Sequence, residues 1–395
     1  MGISVPCMRW APFIWGRILS LFTQTEAVDL PYDIIIDIFS RLPAQLIFQC
    51  CHSCRMIRTL TSSPTFVSIH LKRATSVVVI QRDPWRKSYS CRNGIYEDEV
   101  PLYFIDDKTK ERIPKNMRVS HSCTGYTQLT LIGSCNGLLL FSNHVIVIIW
   151  NPITQEQIIV NKPDSVSTCG FFFDPKTREY IVLFWRHVDS GFHLMTYGLL
   201  RHTRKTTTLS HPPWFDAPVI LKSTLHWLVD NERYKRANSR FLLCAESIIS
   251  FDMDTETLHT MSCPGDKYGK RADNSYVHLL KKEECLCFFD TSSYRGMDFW
   301  VLQDYAEEVW TKTHVLNLEL ILPCRRPELQ YIRSAPDIDN DELLLVWNWT
   351  LIRLNLQSNS LRKLKMRKPQ DEGNIFYFVE HRDSLATLRT DDIVH

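Results

Sequence analysis

Two stretches of the chain hold side chains of reactive types at close spacing. Gly133-Ser134-Cys135-Asn136-Gly137 sets a hydroxyl and a thiol between glycines, with His144 not far along the chain. A nucleophile of this kind needs a positioned base, and a thiol also needs a depressed pKa. Proximity in sequence supplies neither, and the glycines equally suit a tight turn into the apolar run Leu138-Leu139-Leu140-Phe141. Cys50, Cys51, His52 and Cys54 form a denser group of zinc-binding types. Adjacent residues on a helix point in different directions, and no second half-site follows at finger-like spacing, so no metal is expected. Cys285 and Cys287, two apart in a strand-like run, share a face and read as core thiols. No P-loop, glycine-rich dinucleotide fingerprint or HExxH motif is present. Asp174, Asp252, Asp337 and Asp339 lie in turn-like contexts, without the pairing that glycan hydrolysis needs. No catalytic residue and no cofactor is therefore expected.

The elements that must position these residues fall into two textures. Residues 29–74 have helical periodicity. Asp29 can cap and Pro31 suits a first turn. Ile34, Ile35, Ile38, Phe39 and Leu42 then recur at three- and four-residue spacing as one apolar stripe, which Pro43 ends. Gln45–Cys51 and Ser53–Leu60 predict two further short helices, with Pro64 as a break and Phe66 as an anchor. A unit of about 45 residues is marginal alone and should need a partner.

From Thr75 onward, short β-branched and aromatic runs alternate with polar turns, as in Val145-Ile146-Val147-Ile148-Ile149-Trp150 and Tyr180-Ile181-Val182-Leu183-Phe184-Trp185. An apolar pair followed by Asn or Asp, with Thr or Ser three residues later, recurs at Asp106, Asn151, Asp174, Asp252 and Asn355. Degenerate copies stand at Leu200-Arg201-His202-Thr203 and Val301-Leu302-Gln303-Asp304. Asx side chains close tight turns on backbone amides, so each copy marks a hairpin. The period of about 45–50 residues matches a four-stranded kelch-like blade, and about six blades fill the span. The expected fold class is therefore a short three-helix module followed by an antiparallel β-propeller, with an irregular β-sandwich as the alternative. Trp150, Trp185, Trp227, Trp300 and Trp347 read mostly as core packing. His211-Pro212-Pro213-Trp214-Phe215 and Asn231–Arg240 are the candidate rim loops for recognition.

A net charge of +2 across 395 residues argues against general nucleic-acid binding. The basic run Arg362–Lys368 reads as a solvated edge strand, with an import or anion-binding patch as the alternative. Thirteen scattered cysteines fit a reducing compartment, and a cytoplasmic or nuclear location is expected. Arg9 and Arg17 interrupt the apolar stretch Val5–Phe22, so neither a membrane anchor nor a secretory signal is expected, and residues 1–28 read as a flexible extension.

The stretch from Leu30-Pro31-Tyr32-Asp33-Ile34-Ile35 through Leu42-Pro43-Ala44, continuing by Ile47, Cys50 and Cys54-Arg55 to Ser62-Ser63-Pro64-Thr65-Phe66, resembles an F-box. Ser53 and Ile57 depart from it, standing where valine and tryptophan are usual. Downstream, Ile132-Gly133-Ser134-Cys135-Asn136-Gly137-Leu138-Leu139, Trp150-Asn151-Pro152, Gly170-Phe171-Phe172-Phe173-Asp174-Pro175 and Leu225-His226-Trp227-Leu228 resemble the F-box-associated interaction domains of plant F-box proteins. The two resemblances imply an F-box over 29–74, a recognition propeller over 75–390, and a non-catalytic substrate receptor of an SCF-type ubiquitin ligase. They imply that Leu30, Pro31, Ile34, Ile35, Ile38, Leu42, Pro43 and Ile47 bind a Skp-type adaptor and, through it, a cullin–RING ligase. A protein substrate is implied but not identified, and neither nucleic acid nor membrane is an expected partner. The apolar stripe, chiefly Leu30, Pro31, Ile35, Ile38, Leu42 and Pro43, should stand exposed in the free chain. The departures at Ser53 and Ile57 leave open an adaptor-free scaffold with a decayed F-box, and a propeller enzyme is the third reading.

Overall fold

The computed structural model describes residues 31–53, 55–82, 90–92, 95–106, 112–121, 129–188, 190–197, 203–207, 211–214, 216–265, 276–293, 296–317, 332–339, 341–347, 350–364 and 376–388. The chain divides into two compact units, Met1–Arg73 and Ala74–His395. Residues 1–28, Asp29, Leu30, Cys54, residues 107–111 and 198–202, Asn348-Trp349 and residues 365–368 lie outside the described set.

The first unit holds four helices among its described residues: α1 (Tyr32–Ser40), α2 (Ala44–Ser53), α3 (Arg55–Thr61) and α4 (Pro64–Arg73). The expected count was three. Pro64 opens α4 instead of breaking the chain, because a first-turn residue needs no amide donor. The core is Ile35, Phe39, Ala44, Ile47, Cys50, Ile57, Leu60 and Phe66, all buried. Ile57, standing where tryptophan is usual, is a core residue and supplies its apolar surface there.

The second unit is a six-bladed antiparallel β-propeller, as the repeat spacing predicts. In the second blade the strands Thr130–Cys135, Leu138–Ser142, Ile146–Trp150 and Gln157–Asn161 pair in sequence order. The third to sixth blades begin at Val166, Val219, Val277 and Ile332 and repeat that order. The fifth and sixth are joined where their first strands pair in parallel, Lys281 with Asp337 and Lys282 with Ile338.

The first blade closes the ring. Its first strand is the last among the described residues, Phe376–Arg382, which pairs antiparallel with Ser76–Arg82, followed by Ile95–Asp106 and Arg112–His121. First strands of neighbouring blades pack against one another around the centre. Middle strands such as Leu138–Ser142 and Ile146–Trp150 are buried at every residue, which explains their unbroken apolar runs. Outer strands such as Ser360–Lys363 are mostly exposed, so Arg362 and Lys363 sit on a solvated edge.

The repeated Asx residues do what their chemistry predicts. Asn151 Oδ1 accepts from the amides of Ile153 and Thr154, at 2.8 and 3.2 Å. Asp252 accepts from Asp254 and Thr255, Asp304 from Ala306 and Glu307, and Asn355 from Gln357 and Ser358. Each of these turns joins the third and fourth strands of its blade, and the Asp174 copy joins the first and second strands of the third. Four residues after each of these five Asx positions the backbone enters the left-handed region, at Gln155, Arg178, Glu256, Glu308 and Asn359, with φ from 52 to 63°.

Candidate docking surface and the propeller closure

Pro31 is the N-cap of helix α1; its ring removes one amide that the helix could not satisfy, and its carbonyl accepts from Ile34 and Ile35 at 3.0 and 3.2 Å. The helix's apolar stripe divides between two faces. Ile35 and Phe39 turn inward to the core, whereas Ile34 and Ile38 remain 45% and 44% exposed. Tyr32 of the same helix is 58% exposed and Met56 of α3 is 43% exposed. Pro31 and Pro43 are exposed and Leu42 is half-buried.

Of the residues expected to stand exposed, Ile35 is corrected: it is buried in the module's own core, as is Ile47 among the residues expected to dock. The stripe is wide enough to serve two faces, one spent on folding and one left to solvent. Tyr32 and Met56 were missed. Met56 lies on another helix, and only its adjacency to the core residue Ile57 hints at an outward side chain.

Helix α4 fixes the turn that carries Leu42 and Pro43. His70 Nε2 meets the Leu42 carbonyl at 2.9 Å and stacks on Phe66. Arg73 Nη1 donates to Asp37 Oδ1 at 2.8 Å and to Ser40 Oγ at 2.6 Å, while Arg41 Nε reaches Asp37 Oδ2 at 3.1 Å. The Arg41 and Arg73 guanidiniums hold the Asp37 carboxyl below its ordinary range. The cysteine cluster has separate occupations: Cys50 is buried, Cys51 Sγ meets Thr61 Oγ1 at 3.0 Å, and His52 Nδ1 meets the Phe48 carbonyl at 2.8 Å. No group of three or more metal-capable side chains gathers among the described residues.

In the propeller, Ser134 finds a histidine, but it is His381 and not His144. Ser134 Oγ lies 2.9 Å from His381 Nδ1, and His381 Nε2 lies 3.2 Å from Asp383 Oδ1. These are the group types of a hydrolytic triad, assembled across 247 residues of sequence that no local pattern connects. His381 is buried and packs edge-on against Phe104. Burial pushes the neighbouring Cys135 thiol up to about 12, so it stays protonated at neutral pH.

The surroundings of this array tie the end of the chain to the second blade. Ser384 Oγ donates to the Asn136 carbonyl at 2.6 Å, and Asn151 Nδ2 donates to the Ser384 and Ala386 carbonyls at 3.2 and 2.8 Å. The Leu388 amide donates to Glu156 at 3.2 Å. Gly137 has φ +84°, and a Cβ there would stand 2.2 Å from Ser384 Oγ and 2.8 Å from its backbone nitrogen. The two glycine- and asparagine-bearing motifs therefore clasp the strand that closes the ring.

Tryptophans likewise join blades. Trp227 Nε1 donates to the Cys169 carbonyl at 2.8 Å, from the fourth blade to the third, and Trp310 Nε1 donates to the Ser262 carbonyl at 3.0 Å. Trp150, Trp185 and Trp227 are buried and Trp300 is half-buried, while the Trp347 side chain lies outside the described set.

The expected rim loops are not open loops. His211, Pro212 and Pro213 are buried, and Phe215 lies outside the described set. Asn231–Asn238 is a helix, α5, capped by Asp230, whose side chain accepts from the Arg233 amide at 2.9 Å. The helix ends at Ser239 in the left-handed region, with φ 54°.

Comparison with known families places both units. The description "F-box associated beta propeller domain" matches residues 96–390, and "F-box-like" matches residues 27–71. Among curated relatives, F-box protein At3g07870 of Arabidopsis thaliana is 27% identical over 74% of this chain and 73% of its own length. F-box protein CPR1 of the same plant is 21% identical over 86% of this chain and 84% of its own. Among solved structures, a chain of the Nidogen/Laminin complex aligns over 78% of this chain and 99% of that chain, with a TM-score of 0.45 and 12% identity.

Proposed function

The chain belongs to the F-box-associated β-propeller family, and from that premise we propose that it is the substrate-recognition subunit of an SCF-type ubiquitin ligase. In this reading the helical unit docks a Skp-type adaptor and the propeller holds a target protein for ubiquitination. The observation that carries it is the apolar pair Ile34 and Ile38, one turn apart on α1 and left to solvent on a unit whose core is already filled. A half-exposed face on so small a module is the kind of surface that a partner helix covers. The propeller supplies a rigid frame, and bringing a target close to a charged ubiquitin carrier needs no catalytic group on the receptor. The Ser134–His381–Asp383 array then serves ring closure: the Ser134–His381 Nδ1 bond links the second blade to the first, and Asp383, just past His381's own strand, engages the other imidazole nitrogen.

Co-purification with a panel of Skp-type adaptors tests the reading. Capture by the wild-type chain, lost when Pro31 and Ile38 are both replaced by alanine, supports it. A folded chain that captures none of the adaptors overturns it and leaves an adaptor-free binding protein.

A further inference from the structure

Strand order fixes which loops share a rim: connections from second to third strand, and from one blade to the next, lie on the face opposite the Asx turns of the third-to-fourth-strand hairpins. Four exposed apolar residues lie in second-to-third-strand connections of three successive blades: Val145 at 40%, Val188 at 76%, Phe241 at 52% and Leu243 at 57%. Beside the first of them sits a half-buried cation. The Lys162 amide donates to the Val145 carbonyl at 2.7 Å, and its Nζ donates to the Asn143 carbonyl at 2.8 Å and Ser142 Oγ at 3.3 Å. An ammonium has three donors, and those two bonds go to neutral groups.

The Ser142 hydroxyl is itself bonded to Thr168 Oγ1 at 2.7 Å, and Ser167 Oγ meets His187 Nε2 at 2.9 Å next to Val188. Burial lowers the Lys162 ammonium to about 8, the mark of a charge short of compensation. Burial, then the nearby Arg233 and Lys162 cations, also lower His187. Arg233 carries its own partner, Asp230, at 3.3 Å. An anion arriving at Lys162 would take up the third donor and relieve a cation held partly out of water.

We propose that this rim of the second, third and fourth blades captures an acidic segment of the target protein, seating a phosphate or carboxylate on Lys162 and apolar neighbours on Val145 and Val188. This rests on the receptor reading and names the chemistry of its substrate.

The test is calorimetric titration of the full chain with three synthetic peptides of sequence Leu-X-Leu, where X is phosphoserine, glutamate or serine, and with inorganic phosphate. The expected result is saturable binding of at least one acidic peptide, tenfold or more tighter than the serine peptide. The ranking of phosphoserine against glutamate tells which anion is the natural one. Lys162→Met should abolish the preference and Lys162→Arg should retain it. Should Lys162→Met fail to fold, Val145→Asp, which sets a carboxylate beside the ammonium at an exposed position, should cut acidic-peptide binding at least tenfold. Acidic peptides that bind no better than the serine peptide, or equal binding by the folded Lys162→Met or Val145→Asp variant, overturn the proposal. Adaptor capture is measured on the same samples. Its loss would overturn the receptor reading and leave the anion result standing.

Discussion

Exchanging outward and inward isoleucines of α1 separates docking from folding. Ile34 and Ile38 are about half exposed, so adaptor binding has roughly half of each side chain still to bury. Replacing isoleucine by alanine removes three carbons, and at about 0.8 kcal/mol per buried methylene, halved, each loss comes to about 1.2 kcal/mol. That is about sevenfold in Kd for each site, and tens-fold for the pair after allowing for coupling between neighbours one turn apart. Free-chain stability should change by no more than about 0.5 kcal/mol, since these are surface substitutions to a better helix former. Ile35→Ala acts the other way. It empties a core position, costs about 2–5 kcal/mol, and melts a module with little stability to lose. The assay is titration of a Skp-type adaptor into each variant, alongside urea unfolding followed by far-UV circular dichroism. Wild-type affinity in a folded Ile34→Ala/Ile38→Ala chain would refute the docking face. So would an Ile35→Ala chain that keeps its stability yet loses the adaptor, because the inward residue would then be touching the partner.

The closure makes further predictions. Gly137→Ala meets Ser384 and a left-handed backbone together, and should destabilise the propeller by about 2–4 kcal/mol, read as a lower urea midpoint. Asn151→Ala removes two turn bonds and two bonds to the C-terminal segment, and should cost about 2–3 kcal/mol and raise proteolysis after Arg382. Unchanged midpoints would mean that the clasp contributes nothing. His226 is buried, with Nδ1 on the Val219 carbonyl and Nε2 on the Tyr305 hydroxyl, and burial lowers it from 6.5 to about 4. The unfolded chain then binds the proton more readily, so this contribution is whole above pH 6.5 and falls away as the pH drops toward 4. The loss over that window is about 3 kcal/mol. Unfolding of His226→Gln measured between pH 4.5 and 7 should show a flatter slope, and an unaltered slope would remove His226 as the cause.

Local chemistry made much of this protein legible in its sequence. An Asx side chain closes a turn wherever the strands around it lie, so the spacing of Asp106, Asn151, Asp252 and Asn355, with a degenerate copy ending at Asp304, announced blades, about six of them. Period 3.6 announced α1, and the apolar runs announced buried middle strands. What the sequence did not carry was the partition of surfaces. A stripe of Ile34, Ile35, Ile38 and Phe39 is uniformly apolar, and only packing within the folded module, with α4 against α1, decides that Ile35 and Phe39 are spent inside while Ile34 and Ile38 stay out. Nor did local pattern show that Ser134 would meet His381, or that Gly137 would be held open for Ser384. Those pairings join residues 247 positions apart, and they exist because the last strand returns to the first blade. Chain connectivity around a ring, not the residues beside them in sequence, brings them together.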